Sequence, residues 1–273
     1  MNKTKLLIIA CVNYNTFDKL YLYLNSIEKA RGSCNNDFNV TVLIADNSEF
    51  SIESKLPSFE NINIVYHKNK SNEGYIGGIR DAVINLKIDI YSADYFIISN
   101  VDVTLTNDFF TELFLIKNNN LGWIAPSIIS EKEGRDRNPK IKKRPSSANL
   151  KKLLVMYKYP VLHLIYKNTI YKYKSKKISK YKNDSIYAGH GSFMIFTKKT
   201  VNSNGFLDFP SFLFGEEIYF GELMKRENLE VVYNQNIVVK DFDHASTSLI
   251  RKSRYYKMNY DSLKIIIKNY FEA

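Results

Sequence analysis

The sequence predicts an α/β fold, a mostly parallel sheet covered by helices on both faces. Three observations carry this. Short runs that are apolar throughout alternate with segments of helical spacing, the pattern of strands buried on both faces. Three of those runs stop at polar clusters, Asn13–Asn15, Asp46–Ser48 and Asn100–Asp102, which places the clusters together at the carboxyl edge of the sheet, where ligands bind in such folds. And 273 residues with 45% hydrophobic content suffice for one large core, which excludes global disorder.

The elements follow in order. Lys5–Val12 is an apolar run of strand length. Residues 16–30 place Phe17, Leu20, Leu24 and Ile27 on one helix face, with Asn15 or Thr16 available to cap it. Asn39–Ala45 is a second strand, Ile62–Tyr66 a short third. Gly74–Leu86 reads as a helix behind a glycine-rich entry, and Tyr95–Ser99 as a fourth strand. Asp108–Lys117 is a helix and Gly122–Ala125 a strand. Beyond a basic, Tyr-rich stretch at 131–185, Tyr187–Thr197 reads as a strand, Gly215–Asn228 as a helix and Glu230–Val239 as a long strand or strand pair. Arg251–Tyr270 is a basic amphipathic helix. The expected organisation is a nucleotide-binding half at 1–130, an insertion at 131–185, a second half of the same domain at 186–250 and the C-terminal helix at 251–273.

The charge is uneven. Lys and Arg total 39 against 28 acids, a net charge of +11, yet 14 of the cations lie between Lys140 and Lys182 without one acid. The remainder, 25 basic against 28 acidic residues, is nearly neutral, unlike a uniformly basic nucleic-acid binder. The plainest reading of the block is a solvated basic insertion covering the cleft, and two others stay open beside it. Its Tyr157, Tyr159, Tyr166, Tyr171, Tyr173 and Tyr181 could stack single-stranded nucleic acid. Its apolar patches, Leu153–Met156 and Val161–Ile165, are too short to span a bilayer and suit a helix lying on an anionic membrane surface. Two cysteines, Cys11 and Cys34, make no disulfide framework and fit a reducing compartment. Met1–Lys5 followed by Leu6–Val12 superficially resembles a leader, but the apolar run is short and reads as the first strand, so a cytoplasmic location is expected.

Several constellations could carry chemistry. Asp102, just past a buried strand, could hold a divalent cation that bridges phosphates, or could cap the next helix. Asp46 and Asn47 could bond a base or ribose edge, or form an Asx-turn. Asn72-Glu73-Gly74-Tyr75-Ile76-Gly77-Gly78 opens a helix, where glycines let backbone N–H groups approach phosphate; it is neither the dinucleotide fingerprint nor a P-loop. Glu216 and Glu217 begin a helix, as a general base at a cleft or as ordinary dipole-favoured acids. His244 follows Asp241-Phe242-Asp243 and could complete a metal site. His190 sits between two glycines, while His67 and His163 have no supporting context.

In this order and spacing the clusters resemble family 2 glycosyltransferases, inverting, nucleotide-sugar-dependent enzymes of the GT-A type with a Rossmann-like sheet, and in particular their bacterial rhamnosyltransferase-like branch. The resemblance covers about residues 5–128 and 186–270. It rests on Val12-Asn13-Tyr14-Asn15, Ala45-Asp46-Asn47-Ser48, the Asn72–Gly78 segment, Ser99-Asn100-Val101-Asp102-Val103 in place of a DxD motif, Gly191-Ser192-Phe193-Met194 and Phe214-Gly215-Glu216-Glu217. It departs at Ile79-Arg80, where many relatives have Asn, at Val101 in place of proline, and at Glu217 in place of aspartate. The resemblance implies a donor site of Asn13, Tyr14, Asn15, Asp46, Asn47, Asn72, Gly74, Gly78, Arg80, Asn100 and Asp102, and an acceptor side of His190, Gly191 and Ser192. It further implies Mg2+ or Mn2+ held by Asp102 and His244, and a base that is Glu217 or Glu216. The implied partners are a nucleotide-diphosphate sugar and a glycan or lipid-linked glycan acceptor in bacterial surface polysaccharide synthesis, such as a capsule or O-antigen, with no nucleic acid. A nucleotidyltransferase of similar fold is the enzymatic alternative.

Overall fold

A computed structural model describes residues 4–161, 184–242 and 251–272. Its strands are β1 (Lys5–Asn13), β2 (Phe38–Asp46), β3 (Asn63–Lys68), β4 (Tyr95–Ser99), β5 (Val103–Leu105), β6 (Leu121–Ser130), β7 (Arg135–Asp136), β8 (Ser185–Ile186), β9 (Phe193–Thr197) and β10 (Glu230–Asp241). Its helices are α1 (Phe17–Gly32), α2 (Ile76–Asn85), α3 (Phe109–Phe114), α4 (Ser147–Lys158), α5 (Lys198–Val201), α6 (Glu216–Arg226) and α7 (Lys252–Tyr270).

The strands form one mixed sheet in the order β3-β2-β1-β4-β9-β6-β10-β5, with β7 beside β6 and β8 beside β10. The first four strands pair parallel, as the apolar runs predict, and so do β6 and β10. Strands β9 and β5 depart from the parallel pattern. β9 runs antiparallel between β4 and β6, and β5 runs antiparallel to β10. An apolar run buried on both faces looks the same in either direction, so the inversion leaves no mark on the sequence.

Alternate residues of β1 feed two cores. Leu7, Ile9 and Cys11 face a layer built by Leu20, Tyr23, Leu24 and Ile27 of α1 and by Phe109 and Phe110 of α3. Ile8 and Ala10 face Ile76 and Ile79 of α2 and Phe220 and Leu223 of α6. The N-terminal apolar run is thus a central strand, and both cysteines are free and buried. A third, smaller core lies outside the sheet, where Leu150, Leu153, Leu154 and Tyr157 of α4 meet Leu263, Ile266 and Ile267 of α7 and Ile218 of α6. Ser146 caps α4 by accepting the Asn149 N–H at 3.3 Å.

Several boundaries differ from the sequence reading. The run expected as a strand over 187–197 is strand only from Phe193; Ala188–Ser192 form a loop, with a single bridge from Ala188 to Ile141. β6 extends five residues past Ala125 to Ser130 despite Pro126. Pro126 has no N–H to give the ladder, and β10 steps out of register beside it, between Asn234 and Val238. β10 is accordingly one long interrupted strand rather than a pair. Residues 162–183, with most of the basic block's tyrosines, and 243–250, with His244, lie outside the described residues.

Candidate active site

The carboxyl ends of β1, β2 and β4 and the amino end of the inverted β9 open onto one cleft of about 730 Å³. It brings together Tyr14, Asn47, Asn72, Gly74, Asn100, Asp102, His190, Gly191, Ser192, Glu216 and Glu217. These positions come from six separated stretches of sequence, which the sheet topology gathers at one edge.

On the β1–β2 side much of the polar chemistry is spent within the protein. Asp46 is wholly buried, and its carboxylate accepts Asn13 Nδ2 at 2.9 Å, the Ser48 N–H at 3.1 Å and the Tyr66 hydroxyl at 2.6 Å. Asn13, the last residue of β1, also donates to Ser48 Oγ at 3.0 Å and accepts the Thr16 hydroxyl at 3.1 Å. The backbone of Asn15 turns left-handed and donates its N–H to Ser48 Oγ at 2.8 Å. Asn13 and Asn15 line a second, shallower hollow of about 640 Å³ together with Phe17, Ser48, Phe50 and Ile52. Asn47 donates Nδ2 to the carbonyl of Gly74 at 2.8 Å and accepts Asn69 Nδ2 at 2.7 Å. Its amide therefore fixes the glycine loop.

The glycines have steric reasons to be there. Gly74 has φ +80°, and a Cβ on it would lie 2.0 Å from the carbonyl oxygen of Phe212. Gly78 lies inside α2, where a Cβ would press within about 3.1 Å of the Asn47 and Asn69 amides. Gly78 thus admits the two asparagines to the helix. Arg80 is outside the cleft, half-exposed and 3.8 Å from Asp208.

On the opposite side two glutamates open α6. Glu216 is buried, and its Oε2 has no hydrogen-bond partner among the described residues. Burial first, and then the neighbouring charge of Glu217, push its carboxyl up to about 8. Glu217 is half-buried at the cleft, and its Oε1 accepts the Gly191 N–H at a long 3.4 Å. A Cβ on Gly191 would stand 3.3 Å from Glu216 Cγ and 3.4 Å from Glu217 Oε1, so a larger residue there would crowd both acids. The Gly191 carbonyl accepts the Tyr75 hydroxyl at 3.1 Å, linking this loop to the glycine loop. His190 Nδ1 accepts the Ser192 N–H at 3.1 Å and lies 2.9 Å from Ser192 Oγ, while Asn138 Oδ1 holds the His190 N–H at 2.9 Å.

The cleft includes residues the sequence reading did not select. Arg137 and Lys140 enter from the segment after β7, and Arg254, Tyr255, Met258 and Asn259 from α7. Arg137 pairs with buried Asp241 at 3.1 Å. Lys140 and Arg254 have no acidic partner within ion-pair distance among the described residues. The one available signal was Lys140 at the head of the basic block. The amphipathic pattern marks α7 as a helix, but nothing local marks which of its residues reach the cleft.

A divalent cation can be judged against the donor set. Asp102, largely buried at the cleft, offers a hard carboxylate oxygen and Asn100 an amide oxygen. Asp241 is taken up by Arg137. No three His, Cys, Asp or Glu side chains converge among the described residues, and His244 lies outside them. Mg2+-like ions are commonly held by one or two carboxylates together with substrate phosphates, so Asp102 fits an ion shared with a phosphate ligand.

No family sequence model matches the chain, and no curated protein matches it in sequence. Solved structures do match its shape. A crystal structure of GalNAc-T7 with UDP, GalNAc and Mn2+ superposes with a TM-score of 0.57 at 10% identity, over 96% of this chain and 48% of the other. A structure of S. aureus TarS 1–349 in complex with UDP-GlcNAc superposes with a TM-score of 0.57 at 12% identity, over 98% of this chain and 67% of the other. This chain thus spans about half the length of the first. The fold is of the GT-A glycosyltransferase type.

Proposed function

We propose that the protein is an inverting glycosyltransferase that moves a sugar from a nucleotide diphosphate to an acceptor hydroxyl. The observation that carries this is the pair of glutamates at the start of α6, set on a GT-A sheet in the same cleft as the strand-end Asp102. The matched structures hold UDP or a UDP-sugar, which supports a nucleotide-sugar donor here.

In this reading the donor lies over the carboxyl ends of β1, β2 and β4, between the Tyr14–Asn15 turn and the Gly74 loop. Asp102, with His244, would hold a divalent cation, which supplies charge neutralisation at the diphosphate. Glu217 takes the proton from the acceptor hydroxyl. The freed oxygen attacks C1 of the donor sugar, and the bond from C1 to the diphosphate oxygen breaks on the opposite face with its electron pair leaving on phosphate. Burial keeps the proton on Glu216 near neutral pH, whereas Glu217 reaches the Gly191 N–H at the cleft. The choice between the two acids thereby falls on Glu217, which faces the cleft.

The acceptor enters past Tyr157 of α4 and Tyr255 and Met258 of α7, with Lys140 and Arg254 on the same walls. Aromatic faces suit a sugar ring, and the two cations suit an anionic group on the acceptor, such as the phosphate of a lipid-linked glycan. A dTDP-rhamnose or UDP-hexose donor and a role in bacterial surface polysaccharide synthesis are the specific form of this reading. Its cytoplasmic, peripheral-membrane form needs revising in one respect. Leu153 and Leu154, expected to meet lipid, pack against α7, leaving Val155 and the exposed lysines of α4 as the outward surface. No described helix is long and apolar enough to cross a membrane.

A panel of UDP- and dTDP-sugars, with nucleoside triphosphates as controls, tests the donor class. Glu217→Gln should lower turnover by about 10²–10⁴-fold while donor binding is kept. Full activity in that variant would refute the assignment, and turnover of nucleoside triphosphates alone would favour nucleotidyl transfer.

A further inference from the structure

The two glutamates are aimed by an elbow whose shape is unusual. Phe214 and Gly215 both adopt left-handed backbone, with φ of +69° and +88°. Such a conformation is unfavourable for a bulky residue such as Phe and persists only where the surroundings impose it. The surroundings are supplied from one side mainly by α7. Ser262 donates its hydroxyl to the carbonyl of Phe214. A Cβ on Gly215 would lie 2.5 Å from Ile266 Cδ1 and 2.9 Å from Ser262 Oγ, so helix and elbow are in direct contact. The Phe214 and Tyr255 rings meet in a T-shaped contact at 5.1 Å between centroids. Residues 255, 262 and 266 are spaced by seven and four, which puts them on one helix face.

We propose that α7 is the positioning element for the catalytic base, holding the Phe214–Gly215 elbow through Ser262, Ile266 and Tyr255. The proposal rests on the reading of Glu217 as that base. Glu216 and Glu217 are the first two residues after the elbow, so a change in the elbow's dihedrals re-aims both carboxylates while the far end of α6 stays in the core. Because Arg254, Tyr255 and Met258 of the same helix line the cleft, a bound acceptor presses on the element that sets the base. Base alignment and cleft occupancy are thereby linked through one helix.

The test compares the full chain with Ser262→Ala and Ser262→Thr. Turnover is read as nucleotide release from UDP-GlcNAc and dTDP-rhamnose, donor-site integrity as UDP affinity by calorimetry, and the elbow as hydrogen exchange of residues 214–218. Ser262→Ala should lower kcat by about tenfold or more, the scale expected for a base misplaced by a fraction of an ångström. UDP affinity should stay within about twofold, faster exchange should be confined to 214–218, and Ser262→Thr should recover most of kcat by keeping the hydroxyl. Unchanged kcat and unchanged exchange in Ser262→Ala would overturn the proposal. So would exchange that rises equally along all of α6 and α7, which would mark a purely structural role. Should Ser262→Thr fail to fold, Gly215→Ala, which drives the elbow away from Ile266, must reproduce the kcat loss at constant UDP affinity or the proposal falls. Full turnover in Glu217→Gln would instead remove the base itself, a failure separable from any result at Ser262.

Discussion

Replacing Arg144 by methionine probes how the basic segment is fastened to the fold. Arg144 bonds Glu222 of α6 in two places, Nε to Oε1 at 2.6 Å and Nη2 to Oε2 at 3.0 Å. It also donates to the carbonyl of Tyr270 at 2.9 Å, and its guanidinium lies 4.1 Å from the Phe271 ring centroid. Glu222 is 7% exposed and otherwise keeps the Tyr187 hydroxyl at 2.7 Å. Methionine keeps an apolar stem and strands a buried carboxylate. Removing one partner of a buried pair costs about 3–5 kcal/mol. The Arg144 side chain is 35% exposed, so water recovers part of that, and roughly 2–3 kcal/mol is expected. At about 2–4 °C per kcal/mol for a domain near this size, Tm should fall by roughly 4–12 °C. Urea denaturation of Arg144→Met, Glu222→Gln and the double variant completes the cycle. The double variant should regain about 1 kcal/mol over Arg144→Met, because no buried charge is then left unpaired. A loss below about 0.5 kcal/mol for Arg144→Met, or no recovery in the double variant, would refute the reasoning.

Three further outcomes are expected. Gly74→Ala puts a Cβ 2.0 Å from the Phe212 carbonyl at φ +80°, so it should cost about 2 kcal/mol or more by thermal denaturation; a loss under 1 kcal/mol would mean the loop yields. Glu216, pushed up to about 8 from an ordinary 4.5, binds its proton more tightly folded than unfolded. Its contribution to stability is therefore complete below about pH 4.5 and lost as pH rises through 8; Glu216→Gln should flatten Tm over that window and be the more stable protein above pH 8. Asp102→Asn should abolish the difference in donor affinity between Mn2+-containing and EDTA-treated buffer in calorimetry, and an unchanged difference would make Asp102 a cap rather than a ligand.

The strands that build the site were legible because they are buried on both faces. Ile8 and Ile9 need opposite cores, so β1, β4 and the Val42–Ala45 end of β2 read as apolar runs that stop where polar residues begin. Strand direction was not legible, since β9 carries the same apolar signature inverted. Motif positions were easier to read than motif roles. Asp46, Asn47 and Gly78 stand where a ligand contact was expected, yet their hydrogen bonds and clearances are used inside the protein. A sequence shows an amide's capacity for bonding and not its partner. The helix α7 is legible as a basic amphipathic element, but that Arg137, Lys140 and its Arg254 and Tyr255 line the cleft is not, because packing between distant parts of the chain places them there.

The late place of β9 in the chain has a consequence for biosynthesis. As the chain emerges, β3, β2, β1 and β4 can assemble as soon as Ser99 is clear, but β4 then shows a bare, apolar edge. Its covering strand, Phe193–Thr197, is translated only after the whole basic segment. Throughout that interval Phe96, Ile97 and Ile98 present an unpaired ladder, which favours pairing with another nascent chain. Fragments that stop before Phe193 should be recovered as aggregates, whereas the Lys- and Arg-rich stretch preceding β9 keeps the unfinished chain charged until its own sequence closes the sheet.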